Sequence, residues 1–547
     1  MELVQDDIAG RVVQRLARLK ANRGNWETHW EEVASRVMPN YTSSFTGTNS
    51  PGNKRTQEMY DATAAMACTK FAAAMESMLT PRNQRWHRLI AMDKTLNRNR
   101  QAREWFDDVT DILFRLRYAP QANFASNQHE IYMGLGAFGT GCMFTDALKD
   151  RTGRTVGIRY RAIHLGEVHF AENHQGIIDT AIRTFKYTVR QAVQAFGADA
   201  LGPKLKEVAE KHPDREFDFI HCVMPREDFA PGRLDAKGME FGSYYICTTD
   251  KKVVQESGYH TFPYSISRYV LAPGEIYGRS PAMLALPDIK VLNEINKTTL
   301  KQGHRVVDPV LLAHDDGVLD SFSLKPGAIN YGGVSADGRP LVHTLPTGNL
   351  GFAKELTAEK RESINDAFLV TLFQILVDTP QMTATEVLER AREKGALLSP
   401  TMGRQQSEGL GPLIHRELDI AARAGLLPPM PPILKSAMGA DYDVVYDSPL
   451  SRAQRAEEAA GTMRTVEFAV NIAAQTQDPS PLDNFNWDVI IPEVADINGM
   501  PVKYLNTVEK IQALRDGRNQ DKEAAQITQA LPGAAAMMKV AGTNGQQ

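Results

Sequence analysis

Residues 280–307, SPAMLALPDIKVLNEINKTTLKQGHRVV, and 357–376, TAEKRESINDAFLVTLFQIL, decide the fold. Ser280 offers a hydroxyl that can cap free N–H groups and Pro281 stands where no N–H is needed, so a helix starts there. Leu284, Val291, Leu292 and Ile295 recur at helical spacing as an apolar stripe. Lys290, Lys297, Lys301 and Arg305 follow one another at intervals of 7, 4 and 4 residues on the opposite side. Pro287 predicts a kink or restart. Pro309 keeps Asp308 out of the α region, so the helix ends near Val307 and 308–351 reads as short strands broken by Gly-rich turns. The second helix begins at Thr357 and carries Ile364, Ala367, Phe368, Thr371, Leu372, Ile375 and Leu376 on one face. It stops at Asp378-Thr379-Pro380. Only Gln381 and Met382 separate this break from the capping box Thr383-Ala384-Thr385-Glu386, so the loop is tight and exposed and a long third helix follows, interrupted at Ser399-Pro400.

Outward from this hairpin, residues 8–37 read as one or two helices with Trp26 and Trp30 facing inward, and Pro39–Lys54 as an exposed loop. Helices are expected at Thr56–Leu79 and Asn99–Arg117. Strands are expected at 141–146, 155–161, 179–187, 216–223, 242–248 and 264–270, around a helix at 189–197 that Thr188 and Gln191 cap as a box. Pro428-Pro429-Met430-Pro431-Pro432 closes the third helix. Arg452–Gln475 and 507–530 read as further helices, and the small, polar stretch from Pro532 to Gln547 as a tail that orders only within an assembly. The fold class is α+β, mainly helical.

At 547 residues the chain is too long for one ordinary core. With 62 basic against 66 acidic residues it has no general basic surface for gripping nucleic acid. Cys68, Cys142, Cys222 and Cys247 lie far apart and form no C-x-x-C pair, which gives neither a zinc ribbon nor a disulfide framework and suits a reducing cytoplasm. The start of the chain is a polar amphipathic helix rather than a signal peptide, and no stretch approaches the ~20 apolar residues that span a bilayer, so no membrane insertion is expected.

Motifs for chemistry are weak. Gly134-Leu135-Gly136-Ala137-Phe138-Gly139 fits G-x-G-x-x-G, but a helix precedes it and a strand follows, the reverse of a dinucleotide site. Gly274-Glu275-Ile276-Tyr277-Gly278-Arg279-Ser280 is one residue short of a phosphate loop and has arginine where lysine belongs. No H-E-x-x-H or G-x-S-x-G occurs. His221 and Cys222 are neighbours on a strand and face opposite ways, so they cannot share a metal.

The hairpin, Trp26 and Trp30 before Met38-Pro39, Leu79-Thr80-Pro81 ahead of Trp86, Phe138-Gly139-Thr140-Gly141, Ser448 to Gln454 and Gly499-Met500-Pro501 follow one another in an order that resembles the portal, or head-to-tail connector, of T7-like short-tailed bacteriophages. The resemblance implies a wing at 1–280, stem helices at 281–307 and 353–377, a clip at 308–352, a tunnel loop at 378–382, a long kinked helix and wing return at 383–450, a helical crown at 451–531 and a tail at 532–547. It implies a dodecameric ring at the head–tail vertex of the virion, assembled in the bacterial cytoplasm. Its expected partners are double-stranded DNA, the terminase large subunit, a tail adaptor, and the major capsid and scaffolding proteins. No cofactor, metal or catalytic residue is implied.

Lys290, Lys297, Lys301, Arg305 and the loop Asp378, Thr379, Pro380, Gln381 and Met382 would line the DNA channel. Clip segments 310–313 and 341–345 are expected to pair only between neighbouring chains. Read without the resemblance, the basic stripe is an ordinary solvated helix face. Two other classes stay open, a packaging enzyme acting on nucleic acid and a non-portal tail or adaptor component.

Overall fold

The computed structural model describes residues 2–46, 52–57, 59–93, 95–313, 323–345, 350–371, 401–436, 442–446, 449–478, 480–497, 504–506 and 510–520. The chain forms two compact units, Met1–Gln84 with Arg115–Gly425 and Arg85–Phe114 with Leu426–Gln547. In chain order the helices are α1 (Glu2–Val37), α2 (Thr63–Leu79), α3 (Arg100–Arg117), α4 (Phe124–Phe138), α5 (Val189–Phe196), α6 (Pro203–Lys211), α7 (Pro281–Val307), α8 (Leu350–Ala367), α9 (Gly411–Arg423), α10 (Pro432–Ser436), α11 (Pro449–Thr476) and α12 (Trp487–Ile497). The strands are β1 (His87–Ala91), β2 (Thr140–Lys149), β3 (Thr155–Ala162), β4 (Val168–Glu172), β5 (Ile178–Thr188), β6 (Glu216–Pro225), β7 (Phe241–Cys247), β8 (Lys252–Tyr259), β9 (Tyr264–Arg268), β10 (Leu311–Ala313), β11 (Val342–Thr344) and β12 (Tyr442–Tyr446). The class is α+β, as the sequence indicates.

In the first unit, a five-stranded antiparallel sheet (β4-β5-β6-β7-β8) packs against a three-stranded one (β3-β2-β9). His221 joins the two sheets, its Nδ1 2.9 Å from Tyr264 Oη and its Nε2 3.0 Å from Ser243 Oγ. Cys222, one residue on, points to the other face, where Ala9, Val12 and Leu16 of α1 lie against Ile182, Ile220 and Ile246. The alternation of strand side chains produces this division. Thr188 and Gln191 form the expected capping box at the start of α5.

β4 and β8 were not legible in the sequence because neither alternates. Val168, His169 and Phe170 are all buried, and in β8 Val253 and Val254 are both buried, in different clusters, beside a register shift opposite Tyr245 and Ile246. α1 is one continuous helix. Its buried Arg23 donates to the carbonyls of Leu165 (2.9 Å) and Val168 (2.5 Å) and to Glu27, which pins the β3–β4 connection to the helix. Trp30 donates to the Phe138 carbonyl at 3.3 Å and meets Tyr277 edge-on, with ring centroids 5.0 Å apart.

The described part of the third helix, residues 401–423, contains a π-helical turn over Gln405–Leu410 before α9. Glu408 holds Arg268 through two bonds of 2.9 and 3.0 Å, and Gln405 donates to the Arg268 carbonyl at 2.7 Å. Further along, Glu417 accepts from Arg117 Nε at 2.9 Å and from Tyr160 Oη at 2.6 Å, with both charged side chains fully buried. In the second unit β1 pairs with β12, Trp105 donates to the Pro428 carbonyl at 3.1 Å, and Arg515 grips Asp488.

Two helix starts differ from expectation by seven residues each. α2 starts at Thr63 rather than Thr56, because Asp61 accepts from the Thr63 N–H at 2.8 Å and so terminates an extended segment. α8 starts at Leu350, ahead of Thr357, on a first turn without apolar periodicity, and ends at Ala367; Leu369 then adopts φ +59° while Phe368 turns into the core against Phe71. The expected stripe residues Leu372, Ile375 and Leu376, the loop 378–382, the capping box at 383–386 and the tail 532–547 lie outside the described residues.

Burial, helped by the Arg183 charge, depresses the His221 pKa to about 3, and burial with Arg23 depresses that of His164 to about 4. Both values lie below the unfolded value of about 6.5, so the unfolded chain binds more protons and stability is lost as pH falls through 6.5. At pH 5 each histidine costs about 2 kcal/mol relative to pH 7.5. The urea midpoint should therefore fall between pH 7.5 and 5.0, and fall less in His221→Gln.

Candidate functional site

The site is α7 and its footing. Ser280 Oγ accepts from the Met283 N–H at 3.0 Å, the predicted cap, and donates to the Ala137 carbonyl at 2.8 Å, which ties the start of α7 to the end of α4. Beside it two backbones cross. A Cβ on Gly139 would lie 2.3 Å from the Gly278 carbonyl oxygen, and one on Gly278 would lie 2.2 Å from that of Gly139. Gly139 has φ +73°, a conformation favouring glycine, and Thr140 Oγ1 accepts from the Gly278 N–H at 2.8 Å. The two glycine-rich motifs that fail as nucleotide loops are thus the two sides of one close crossing.

α7 runs unbroken through Pro287. Its buried face is Ala282, Ala285, Leu286, Ile289 and Leu292. Leu284 and Val291, expected on the apolar side, are instead 77% and 44% exposed. Helical spacing alone did not fix the face, because α1, α2, α4 and α8 approach α7 from the side of Ala285 and Ile289.

α8 is fastened to α7 by ion pairs that no motif announces. Asp288 accepts from Ser363 Oγ at 2.7 Å and lies 3.1 Å from Lys360 Nζ. Asp61, on the segment before α2, accepts from Arg361 at 2.8 Å and from Asn296 at 2.8 Å, while the Tyr60 N–H donates to Asn293 at 2.7 Å. Burial pushes the Asp61 carboxyl up, but the bonds from Thr63 and Arg361 outweigh it and hold the group below its usual range.

The four candidate cations do not share one environment. Lys290 pairs with Glu32 of α1. Lys297 lies 3.8 Å from Glu294 and 5.7 Å above the Tyr60 ring. Lys301 and Arg305 are exposed on the distal half of the helix. Asp378, Thr379, Pro380, Gln381 and Met382 fall outside the described residues. Beyond α7, β10 pairs with β11 in antiparallel register, Leu311 opposite Thr344. This corrects the expectation that these segments pair only between chains; three residues on each side form a ladder within one chain. Among the described residues no group of three or more His, Cys, Asp or Glu could hold a metal ion, and no helix is long and apolar enough to cross a membrane.

An α+β body thus roots a long helix that carries exposed apolar and basic side chains, and a second helix is pinned to it by an ion pair between Asp288 and Lys360. The chain belongs to the bacteriophage head to tail connecting protein family, whose model matches residues 9–505. It is 29% identical over 523 residues to the probable portal protein of Bordetella phage BPP-1, covering 94% of this chain and 92% of that protein. It is 27% identical over 524 residues to the portal protein of Salmonella phage epsilon15, with the same coverage of 94% and 92%. A chain from the neck of an empty GTA particle with C6 symmetry matches at TM-score 0.34 and 14% identity, over 73% of this chain and 84% of that one.

Asp61→Ala should release the segment before α2 from α8. Loss of a half-buried acceptor whose arginine partner stays open to water costs about 1 kcal/mol. Hydrogen exchange should then quicken at amides 357–365 while those of β5 and β6 keep their rates.

Proposed function

We propose that this chain is the subunit of a portal ring at one vertex of a phage head, the conduit through which double-stranded DNA is packaged and ejected. The observation that carries the reading is the uncovered surface of α7, where Leu284 and Val291 stand exposed in its first half and Lys301 and Arg305 in its second. A monomer gains nothing from exposing two large aliphatic side chains on a helix, whereas a neighbouring copy would bury them at about 25 cal/mol per Å². The family membership and the two portal relatives support the same reading. Repeated around an axis, Lys301 and Arg305 become rings of positive charge, each contact weak and screened by salt, so their sum steers the duplex without holding it.

The ring is read as dodecameric, with the terminase large subunit docking on 308–352, a tail adaptor replacing it, and major capsid and scaffolding proteins meeting 1–280. The loop 378–382 would face the passing DNA. The particle would be built in the host cytoplasm and the ring retained in the virion. Catalysis has no part in this mechanism, which is geometric and electrostatic.

Purified protein should form closed rings without DNA, visible by electron microscopy, and Leu284→Asp with Val291→Asp should leave smaller species in analytical ultracentrifugation. Undiminished rings would remove α7 from the subunit interface. Changing Lys297, Lys301 and Arg305 together to glutamine should leave rings intact but alter the amount of genome packaged or retained, more at low salt than at high. Normal packaging and retention by that variant would place these side chains away from the DNA.

A further inference from the structure

The loop 226–240, between β6 and β7, is built as a rigid projection. The Arg226 N–H donates to the Glu240 carbonyl at 2.8 Å, and the Ala230 N–H to that of Lys237 at 2.9 Å, closing its base. Buried Arg226 reaches Glu256 at 2.9 Å and the Ser257 carbonyl at 3.0 Å. Lys237 lies 2.9 Å from Asp228, and Arg233 Nε contacts both carboxylate oxygens of Asp235 at 3.0 and 3.1 Å. The turn is so tight that a Cβ on Gly238 would come within 1.9 Å of the Arg233 carbonyl oxygen. After Gly232 at φ +88° the tip presents Leu234, fully exposed, between Arg233 and Asp235. A side chain displayed on an ordered loop loses little further freedom when it is covered.

A cavity of about 130 Å³ lies at the end of α1, on the order of the ~150 Å³ left when a buried leucine is cut back to alanine. Buried Met38, Ile131, Phe138 and Leu165 form its floor. The more exposed Glu130, Arg161 and Glu167 form its rim, Glu167 also holding Arg183. The loop, by contrast, sits at the other end of the same helix, Glu227 lying 3.4 Å from Arg11. From Arg11 to Met38 an α-helix rises about 40 Å, so a chain cannot place Leu234 in its own cavity.

We propose that Leu234 of one copy enters this cavity in the next, with Arg233 facing Glu130 and Glu167 and Asp235 facing Arg161. One projection and one socket at opposite ends of α1 make a heterologous contact, the kind that closes into a ring when its rotation permits. The proposal rests on the ring reading and assigns it a second contact, separate from α7.

The test uses the full chain. Cys142 lines the cavity and the other native cysteines are buried, so in a Cys142→Ala background oxidation of a Leu234→Cys, Glu130→Cys double variant should give ladders of covalently joined copies on a non-reducing gel, and either single variant should not. Leu234→Asp, on an exposed position, should fold with unchanged circular dichroism and weaken association tenfold or more in ultracentrifugation. Ladders without closed rings would keep the contact and overturn the ring reading. Rings without ladders, with Leu234→Asp assembling like the parent, would overturn the contact and leave the ring. Absence of both ladders and rings would overturn both.

Discussion

Everything about the direction of α7 depends on two carbonyl groups passing where no side chain fits. Because Gly139 and Gly278 lack Cβ atoms, the strand entering β2 and the segment entering α7 lie in backbone contact, and Thr140 and Ser280 can complete the junction with hydrogen bonds to main-chain atoms. A methyl group at either position would force the two apart, since it would lie 2.3 or 2.2 Å from a carbonyl oxygen and real Cβ contacts under 3.0 Å essentially do not occur. The start of the helix is therefore aimed by main chain rather than by a pliable packing of side chains.

This explains what could be read beforehand and what could not. The cap at Ser280, the end at Val307 and the helix-then-strand order around Gly139 follow from residues next to one another, and local chemistry decides them. The crossing itself joins residues 138 positions apart, and taken alone one glycine-rich run reads as a reversed dinucleotide fingerprint and the other as a phosphate loop one residue short. Which side of α7 is buried was likewise undecidable from spacing, because Leu284 and Ile289 are equally apolar and only the arriving helices choose between them. Asp61 lay in a stretch read as the start of a helix, and no pattern links an isolated aspartate to Arg361 across the fold.

The candidate cations teach a related point about charge. A row of basic side chains on a helix is a single object in sequence, but the fold distributes it along a gradient of availability. Lys290 is engaged by Glu32, Lys297 is shared between Glu294 and the Tyr60 ring, and Lys301 and Arg305 are exposed. The part of the helix nearest its root is electrically neutralised by its own subunit, while the far part keeps its field.

The buried pair of Arg117 and Glu417 has a consequence for the order in which the molecule is made. The two partners are 300 residues apart, so at about 5–20 residues per second roughly 15–60 s of synthesis separate the guanidinium from the carboxylate that must accompany it into the interior. Within that interval the strands β2 to β9 are translated, while the centre they enclose still lacks one charge. Sealing Arg117 alone is strongly unfavourable, so the first unit stays open until α9 emerges. A chain released early, before residue 417, carries that vacancy as a marker of incompleteness, and the cell's proteases meet an unsealed core rather than a subunit ready to assemble.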